Sequence, residues 1–392
     1  MSLTVDLLLG IQSLLIFLFA GYEYRTLMHF PTLPTQIGTG SDIPRVSIIL
    51  PVRNQARTVG DCVRSLVGLE YPNKEIIVVD GGSTDGTRDQ IQQFDQFITL
   101  VDEEPLPVGW VGKNWACHLG YKKSRGELLL FTDGDSVHAT DSLARSVNYL
   151  RSEKADLVTL APGTILRSFW ERLLQPPIFL LIMILVGGKL VIDDNRQNAI
   201  GNEQCMLFRR EAYDRIGGHY AARDKMIEDY SLGRLLKKAG MRLRFVTAPD
   251  ALEVRMYASL GDIWRGWRKN FYTVSEKHML PRAVSRIFLM FAFLVLPFVI
   301  LGYGLVLATA TPLNAYLIAG LFMSGLLWLG IVILDNSIGV SSLYALMFPL
   351  AILVYILIGI DSTVRGSLGF GFSWKGRVYG KPIERQLEPS PV

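Results

Sequence analysis

Short apolar runs alternate with amphipathic segments through the middle of the chain. Most of these runs are rich in β-branched residues and end at Pro, Gly or Asp, as buried strands do. They occupy residues 45–52, 74–80, 97–101, 127–133, 156–163 and 242–248. Helix-like segments such as 56–69 and 84–94 separate the earlier ones. This alternation predicts an α/β domain with a doubly wound, mostly parallel sheet within residues 42–283.

Longer apolar runs follow near the C-terminus, at residues 286–308, 312–334 and 343–360. Each is almost uncharged and about as long as the roughly 20 residues that span a bilayer. A buried core helix can be equally apolar, but three such runs in succession favour a membrane. We therefore predict transmembrane helices within 284–362, followed by a polar tail over 363–392.

The N-terminal run, residues 1–25, is shorter and marginal for a span. It lacks the basic region and the small-residue cleavage site of a signal peptide, so we predict an uncleaved membrane anchor. Arg25 follows the apolar run and Asp6 precedes it. Positive charge after the run favours a cytoplasmic location for the domain that follows.

Residues 165–192 begin amphipathic and continue as an apolar run that prolines and glycines interrupt. This pattern predicts an interfacial or re-entrant segment. The predicted topology contains a conflict. An anchor with its N-terminus outside, plus three C-terminal spans, places the tail outside, whereas basic residues favour the cytoplasm. These residues are Arg365, Lys375, Arg377, Lys381 and Arg385.

Composition supports an integral membrane protein, which we assign to the cell (inner) membrane with a cytoplasmic domain. Charged residues make up 19% of the chain and hydrophobic residues 49%. The net charge of +4 gives no basis for nucleic-acid binding. Cys62, Cys117 and Cys205 are too widely spaced for a metal motif or a disulfide framework, which fits a reducing compartment. The sequence leaves the oligomeric state undetermined.

Two carboxylates close the strand at 127–133, because "LLLFTDGD" ends in Asp133 and Asp135. Like charges one residue apart repel each other unless they share a cation. Such a pair suits Mg²⁺ or Mn²⁺, which take one or two protein carboxylates and fill the remaining positions with phosphate oxygens and water. A solvated Asp-Gly turn is the alternative for this triplet alone.

A second strand ends in Asp80, within "VVDGGSTDGT" at 78–87. The glycine pair lets the backbone approach a ligand closely, and the carboxylate can accept hydrogen bonds from a base or ribose. Ser83 to Asp85 also form a helix-start signal, which holds whatever Asp80 does. Since ligands bind beyond the carboxyl ends of parallel strands, Asp80 and Asp133 should converge on one crevice.

The order of these motifs resembles that of the family 2 glycosyltransferases, inverting enzymes with the GT-A fold. The resemblance covers about residues 45–275. It rests on "IILPVRNQARTV", "EIIVVDGGSTDGT", "GKNWACHLGYKKSRGELLLFTDGD", "FRREAYDRIGG" and "IEDYSLGRLLKKAG". Within the family, "GWVGKNWA", the flanking membrane segments and the late "WKGRVY" look most like membrane enzymes that glycosylate lipids, including carotenoid, hopanoid-associated and ceramide glucosyltransferases.

The resemblance implies roles on the donor side of the reaction. Asp80 would contact the uracil or ribose of a nucleotide sugar. Asp133 would contact ribose or metal-bound water, and Asp135 would bind the divalent cation that bridges the diphosphate. Lys113 would lie near the nucleotide. Arg265 and Arg268, in "DIWRGWRKNFY", offer cations to phosphates, although the same segment also reads as a basic interfacial helix.

On the acceptor side, Asp229 would be the general base that takes the proton from the acceptor hydroxyl, and Glu228 would orient or tune it. Without the upstream motifs, the two carboxylates would simply complement a helix dipole. Gln204, in "GNEQCMLF", is predicted to line the acceptor site, and so is Trp267 of "DIWRGWRKNFY". His219 is predicted either to touch the acceptor or to lie in a solvated loop.

Three departures from the family pattern stand out. Gly81 replaces the second Asp of the nucleotide turn, and His118 stands where Asn is common. Many processive synthases of the family carry the motif Gln/Arg-x-x-Arg-Trp. Here it appears as Arg265-Gly-Trp-Arg268-Lys269, without the terminal Trp. With few predicted spans, this argues against a polysaccharide-extruding synthase.

The predicted function is transfer of a hexose, with UDP-glucose the favoured donor, to a hydroxyl of a membrane lipid. An isoprenoid such as a carotenoid or hopanoid is the favoured acceptor, ahead of a sphingolipid or glycerolipid. A divalent cation, Mg²⁺ or Mn²⁺, is the predicted cofactor. One alternative is transfer to a polyprenyl phosphate, which needs no general base. Another is a catalytically silent scaffold, against which the intact Asp80, Asp133, Asp135 and Asp229 argue.

Overall fold

The computed structural model describes residues 3–27, 30–35, 43–273, 288–368, 370 and 372–379. The predicted domain start at 42, the boundary at 283 and 284, and the tail beyond residue 379 lie outside these residues. The helices are α1 (Leu3–Leu27), α2 (Val59–Val67), α3 (Thr87–Gln92), α4 (Gly112–Lys123), α5 (Ser142–Ser152), α6 (Phe169–Val186), α7 (Arg210–Arg215), α8 (Gly218–Ala221), α9 (Glu228–Lys238), α10 (Leu260–Thr273), α11 (Phe288–Leu307), α12 (Ala315–Ser337) and α13 (Phe348–Ser367). The strands are β1 (Val46–Val52), β2 (Lys74–Asp80), β3 (Thr99–Asp102), β4 (Leu128–Phe131), β5 (Ser136–His138), β6 (Leu157–Thr164), β7 (Met206–Arg209), β8 (Leu243–Val254), β9 (Phe372–Trp374) and β10 (Arg377–Tyr379).

The chain divides into two compact units. The sheet unit contains residues 29–165 and 185–256, and the helical unit contains residues 1–28, 166–184 and 257–392. The predicted domain at 42–283 therefore differs from the sheet unit in two places. Residues 166–184 and 257–273 belong to the helical unit, because their apolar side chains pack on α13.

The sheet unit is built on one eight-stranded sheet with the order β3-β2-β1-β4-β7-β6-β8-β5. The half made of β3, β2, β1 and β4 is parallel, as predicted. The other half is mixed, because β7 runs antiparallel to β4 and β6, and β5 antiparallel to β8. β7 follows β6 only after the long connection through α6, and a connection of that length allows either strand direction.

The six predicted strands are all present. The central ones are buried on both faces of the sheet, whereas β3, at the sheet edge, is partly exposed. Every residue of β1 is buried, and so are the last five residues of β2. A continuous apolar run, rather than an alternating one, is the pattern of a strand covered on both sides. β1 lies between β2 and β4, so the ends that carry Asp80 and Asp133 flank the end of β1.

Helix α4 packs closely on the sheet at Gly120. A Cβ atom there would lie 2.5 Å from Ile49 Cγ2 and 3.2 Å from Val79 Cγ2. We expect Gly120→Ala to lower the free energy of unfolding by about 1–3 kcal/mol, because overpacking a filled interface forces side chains or backbone to shift. Thermal unfolding in detergent measures this. Gly68→Ala is the control, since its nearest atom would be the Arg64 carbonyl oxygen at 3.4 Å. Equal melting temperatures for the two variants would contradict the prediction.

The helical unit contains the predicted membrane segments. α11, α12 and the stretch 342–367 are each long and apolar enough to cross a membrane, and α1 carries a shorter apolar stretch, Thr4–Leu18. α11 and α12 are antiparallel and very close, since a Cβ on Gly304 or Gly320 would collide with the other helix. Small residues that allow such approach are typical of helix contacts in membranes. α1 packs on the same pair, where Ile16 and Met323 are buried in one cluster.

Candidate active site

The turn after β2 holds Asp80 in place. The buried Asp80 carboxylate accepts hydrogen bonds from the Ser83 amide at 3.1 Å and the Ser83 hydroxyl at 2.6 Å. Its second oxygen lies 3.7 Å from Arg88 Nη1. Gly82 has a φ of +75°, which an L side chain rarely adopts and which explains the glycine. Asp80 therefore shapes the turn, and its role toward a nucleotide stays a prediction.

The turn after β1 interlocks with the turn after β2. The Asn54 amide donates to Ser83 Oγ at 3.0 Å, and the Thr84 amide donates to Asn54 Oδ1 at 2.9 Å. Arg53 donates to the Gly81 carbonyl oxygen. Two loops that exchange side-chain and backbone hydrogen bonds form one rigid rim at the carboxyl edge of the sheet.

The Asp-Gly-Asp stretch follows β4 at the same edge. Thr132, just before it, is buried and fixed on both sides: its hydroxyl donates to the Gln204 carbonyl oxygen at 2.7 Å and lies 2.9 Å from His138 Nε2. A Cβ on Gly134 would meet Gln55 Oε1 at 2.9 Å, so a larger residue between the two carboxylates would displace the Gln55 side chain. Asp133 and Asp135 are both half-buried.

Lys113 connects the donor-side and acceptor-side carboxylates. Its Nζ lies 2.6 Å from Asp133 Oδ1, 2.7 Å from Glu203 Oε2 and 3.2 Å from Glu228 Oε1. The lysine lies at the start of α4, the aspartate after β4, and Glu228 at the start of α9. A single ammonium group therefore joins three separate parts of the sheet unit.

The pKa values in this cluster are shifted because one cation, Lys113, lies among several half-buried or buried carboxylates. Burial alone would lower the pKa of Lys113, but Asp133, Glu203 and Glu228 outweigh it and hold that pKa well above its usual value. Burial raises the pKa of Asp133 to about 7, with Glu203 and Asp135 adding to the shift and Lys113 opposing it. Burial likewise raises the pKa of Glu228 to about 7. Asp133 and Glu228 therefore hold their protons more readily than carboxyl groups in water do.

Asp229 lies at the start of α9, next to Glu228. Its carboxylate accepts a hydrogen bond from the Tyr230 amide at 2.7 Å. Burial, reinforced by the charges of Glu203 and Glu228, raises the pKa of Asp229 well above its usual value. A carboxylate whose pKa is shifted toward neutrality is suited to accept a proton from a hydroxyl.

The start of α4 also anchors the loop that leads to α9. Asn114 is fully buried, and its side-chain amide donates to the carbonyl oxygens of Ala222 at 2.6 Å and Lys225 at 2.8 Å. The Val111 amide donates to the Arg223 carbonyl oxygen at 2.7 Å. The "GKNWA" stretch therefore supplies both the lysine of the cluster and the support for the Asp229 segment.

The two acceptor-side candidates of the sheet unit are buried. His219 Nδ1 lies 2.8 Å from the Tyr213 hydroxyl, and its ring lies 4.6 Å from that of Phe131. It is 3% exposed, so it is no solvated loop residue. Burial, with Lys113 and His118 nearby, lowers its pKa to about 3, and the ring is neutral. It lines the same small cavity as Lys113 and Glu228, whereas Gln204 lies 5% exposed in the turn before β7.

The remaining candidates lie on α10, in the helical unit. Trp267 is buried in a cluster with Tyr355 and Ile358 of α13. Arg268 Nη1 lies 3.3 Å from Asp361, while the more exposed Arg265 pairs with Asp262 at 2.7 Å. All three side chains contact other residues of the helical unit. Their predicted roles toward phosphates and acceptor stay predictions.

The donor set of the Asp-Gly-Asp stretch fits a divalent cation that also binds phosphate. No group of three or more His, Cys, Asp or Glu side chains in the described part of the chain forms a ready-made metal cage. Asp133 and Asp135 instead supply two half-buried carboxylates, and their mutual repulsion contributes to the raised pKa of Asp133. Mg²⁺ and Mn²⁺ accept such a partial shell because substrate oxygens and water complete it.

Sequence reasoning missed Glu203. It lies in the turn before β7, which carries no periodic signal, and its contact with Lys113 places it in the cluster. Gly201 in the same turn is required by packing, since a Cβ there would lie 2.4 Å from the Asp229 carbonyl oxygen. The "GNEQ" turn therefore packs against the start of α9. The available sequence signal for a site residue here was the adjacent acidic and amide side chains of Glu203 and Gln204.

We expect Glu203→Gln to shift the acid limb of the rate–pH profile to lower pH and to reduce turnover by about tenfold. Glu203 raises the pKa of Asp229, so removal of its charge lets Asp229 lose its proton at lower pH. The measurement is the pH dependence of sugar transfer in membranes. The control is Glu70→Gln, an exposed carboxylate on the same unit. An acid limb that does not move would contradict the assignment.

The comparisons with known proteins agree with this arrangement. Residues 47–217 match the sequence family described as glycosyl transferase family 2. This segment is a family 2 glycosyltransferase domain, so the predicted resemblance is confirmed. It contains the turns after β1 and β2, the Lys113 helix and the Asp-Gly-Asp stretch.

Two relatives are 4,4'-diaponeurosporenoate glycosyltransferases from Staphylococcus aureus strains USA300 and MRSA252, each 28% identical over 235 residues. The match covers 58% of this chain and 61% of each relative, so the chain spans about three fifths of their length. Among solved structures, the mannosyltransferase PcManGT from Pyrobaculum calidifontis, in complex with GDP-Man and Mn²⁺, has a TM-score of 0.53 at 17% identity, covering 92% of this chain and 98% of that chain. This likeness confirms the predicted GT-A fold.

Proposed function

We propose that the protein is a membrane-bound inverting glycosyltransferase that moves one hexose from a nucleotide sugar to a lipid. UDP-glucose is the favoured donor, and a hydroxyl of an isoprenoid lipid is the favoured acceptor. The observation that carries the proposal is the Lys113 cluster, which brings Asp133 of the Asp-Gly-Asp stretch and Glu228 beside Asp229 within reach of one ammonium group. A donor-side pair and an acceptor-side base are the two parts that direct displacement requires.

In the proposed reaction, Asp229 accepts the proton of the acceptor hydroxyl. The hydroxyl oxygen attacks the anomeric carbon as the bond from that carbon to the diphosphate breaks. The nucleoside diphosphate leaves with the bonding electrons, and the configuration at the anomeric carbon inverts. Glu228 and Glu203 keep the pKa of Asp229 high, and Lys113 holds Glu228 in position.

Asp135 and Asp133 are the residues that would hold the divalent cation. When bound, such a cation offsets the negative charge that develops on the leaving diphosphate. The Asp80 turn and the Asn54 turn would form the rigid wall against which the nucleotide binds. Lys113 adds a fixed positive charge on the donor side, because its pKa stays high.

A lipid acceptor is supported by the apolar helices and by the relatives, which are named for a carotenoid substrate. A lipid hydroxyl can reach an enzyme laterally from the bilayer, without a soluble carrier. The basic residue that follows the N-terminal run favours a cytoplasmic sheet unit. The cell (inner) membrane is the proposed location. A sphingolipid or glycerolipid is the second choice of acceptor.

The test uses membranes from cells that express the wild-type chain or Asp135→Ala. Radiolabelled nucleotide sugars are supplied singly with Mn²⁺ or Mg²⁺, and label in the organic phase is identified by chromatography and mass spectrometry. Label in a neutral lipid, lost in the variant, supports the proposal and identifies donor and acceptor together. Label in a polyprenyl phosphate sugar would replace the acceptor assignment. No label with any donor, from protein that is folded and inserted, would overturn the proposal.

A further inference from the structure

The membrane helices α11 and α12 form a hairpin whose two ends meet. Gly304 of α11 faces Leu317 of α12, and Leu301 faces Gly320. Farther along, Val295 and Ile331 are buried in one cluster. The two helices therefore run antiparallel along their length, and α12 ends at the level where α11 begins. A chain that crosses the bilayer through α11 returns through α12.

Helix α13 does not continue this pattern. Its first turns pack at the beginning of α11 and the end of α12, where Phe348 and Ile352 join the cluster of Val295 and Ile331. Its later turns pack on α6 and α10 instead. Tyr355 and Ile358 are buried with Leu174 and Trp267, and the Tyr355 hydroxyl donates to the Leu174 carbonyl oxygen at 2.8 Å.

The polar end of α13 is fastened to α10. Asp361 accepts hydrogen bonds from Trp264 Nε1 at 2.8 Å and from Arg268 Nη1 at 3.3 Å. The Ser362 hydroxyl donates to the Arg268 carbonyl oxygen at 3.0 Å. The strand pair after α13 continues the attachment, since Lys269 Nζ lies 4.5 Å from the centroid of the Trp374 ring. The chain after α13 is thus held at α10.

These contacts fix the side of the membrane on which α13 ends. The sheet unit is followed directly by α10, with no long apolar run between β8 and α10, so α10 is on the side of the sheet unit. The hairpin of α11 and α12 leaves that side and returns to it. Asp361 is hydrogen-bonded to α10, so the chain from residue 338 to 361 begins and ends on that same side. At about 1.5 Å per residue, α13 is long enough to cross the bilayer, so its length does not determine whether it crosses. Its contacts with α10 do.

Helix α6 also begins and ends on one side of the membrane, for a different reason. It joins β6 to β7, and these two strands pair with each other in one sheet, with Val158 opposite Leu207. A single crossing would place adjacent strands on opposite sides of a bilayer. α6 therefore enters and leaves on the side of the sheet unit, in agreement with the interfacial or re-entrant segment that the sequence predicts.

We infer that α6, α10 and α13 form an interfacial platform that binds the headgroup layer of one membrane leaflet, and that α13 does not cross the bilayer. The outer face of α13 is an apolar stripe with helical spacing, made of Leu350, Leu353, Leu357, Ile360 and Val364, and Leu346 in the turn just before α13 extends it; all six are exposed. The exposed Arg365 follows Val364 at the end of this stripe, and α10, which packs on α13, carries the exposed Arg265. An apolar stripe bordered by cations fits an anionic lipid surface.

This inference removes the topology conflict in the sequence. Two crossings after α10, rather than three, leave the tail on the side of the sheet unit. Arg365, Lys375, Arg377, Lys381 and Arg385 then lie on the side that their charge favours. The inference concerns membrane topology alone and does not depend on the proposed function.

The first test is labelling of single cysteines with a membrane-impermeant maleimide, in intact and permeabilised cells. Gln93→Cys, on the sheet unit, defines the reference side, Thr311→Cys reports the loop between α11 and α12, and Ser390→Cys reports the tail. The native cysteines are buried, so the wild type supplies the background. We expect Ser390→Cys to label under the same conditions as Gln93→Cys, and Thr311→Cys under the opposite ones. Labelling of Ser390→Cys together with Thr311→Cys would overturn the inference.

The second test measures the depth of α13 in vesicles that contain anionic lipid. A bimane fluorophore at Leu346→Cys, Leu353→Cys or Ile360→Cys is quenched by lipids that carry a nitroxide either near the headgroup or deep in the acyl chain. Stronger quenching by the shallow nitroxide at all three positions supports the platform. Maximal deep quenching at Leu353→Cys, flanked by shallow positions, would indicate a crossing helix and overturn it. Thr311→Cys and Leu321→Cys of the hairpin calibrate the shallow and deep signals.

Discussion

Asp229→Asn is expected to reduce the turnover of sugar transfer by about 10²- to 10⁴-fold, the usual contribution of a general base. The amide keeps the shape of the side chain and can still accept the hydrogen bond from the Tyr230 amide, but it cannot take a proton. Binding of the nucleotide sugar should be unchanged, because Asp80, Asp133 and Asp135 are intact. The loss should therefore appear in kcat rather than in donor affinity.

The measurement is initial-rate kinetics in membranes, paired with calorimetric binding of the nucleotide to the purified variant. Asp224→Asn is the matched control, since Asp224 lies five residues before Asp229, is exposed and pairs with Lys225. Because the raised pKa of Asp229 sets the acid limb of the profile, wild-type activity should rise with pH and this limb should vanish in Asp229→Asn. Full turnover in Asp229→Asn would contradict the base assignment and point to an acceptor that is already an anion.

Asp135→Asn is expected to abolish metal-dependent nucleotide binding and to lower kcat/KM by at least about 10³-fold, or roughly 4 kcal/mol of transition-state stabilisation. The substitution keeps the volume of the side chain and removes one of the two carboxylate charges in the Asp-Gly-Asp stretch. Removal of that charge should also lower the pKa of Asp133, since Asp135 is one of the groups that raises it.

Calorimetry with nucleoside diphosphate, with and without Mn²⁺, measures this effect directly. Asp61→Asn on α2 is the control, because that carboxylate is exposed and contacts only its helix neighbour Arg64 among the ion pairs of the described residues. Thermal unfolding checks that both variants remain folded. A variant Asp135→Asn that still binds nucleotide in a Mn²⁺-dependent manner would exclude Asp135 as a metal ligand.

The parallel half of the sheet was predictable because its strands are continuous apolar runs that end in chemically informative residues. Asp80 and Asp133 could be assigned to one sheet edge from the rule for parallel strands alone, and β1 indeed lies between their strands. The half of the sheet that contains the antiparallel pairs was harder to predict from sequence. β5 has three residues and β7 four, and the direction of such a strand depends on pairing between distant segments that the sequence pattern does not reveal.

The candidate site was predictable where a motif carries the chemistry and not where distant segments meet. Asp229 and Asp135 stand in recognisable patterns, whereas Glu203 gains its role from a lysine 90 positions earlier in the chain. Arg268 shows the same limit, because its partner Asp361 lies 93 positions later. A basic side chain in sequence gives no sign of whether its partner will be a phosphate or an internal carboxylate.

The placement of α6 between two paired strands has a consequence for how the protein is made. During synthesis, β1 to β6 leave the ribosome before α6, and β7 and β8 leave after it. The central strand β7 can pair with β4 and β6 only once α6 has emerged, so the sheet is completed after an apolar helix has already been presented to chaperones or lipid. We therefore expect maturation of the sheet to be coupled to membrane targeting. A fragment cut out as residues 42–283 would carry the same apolar helix into water.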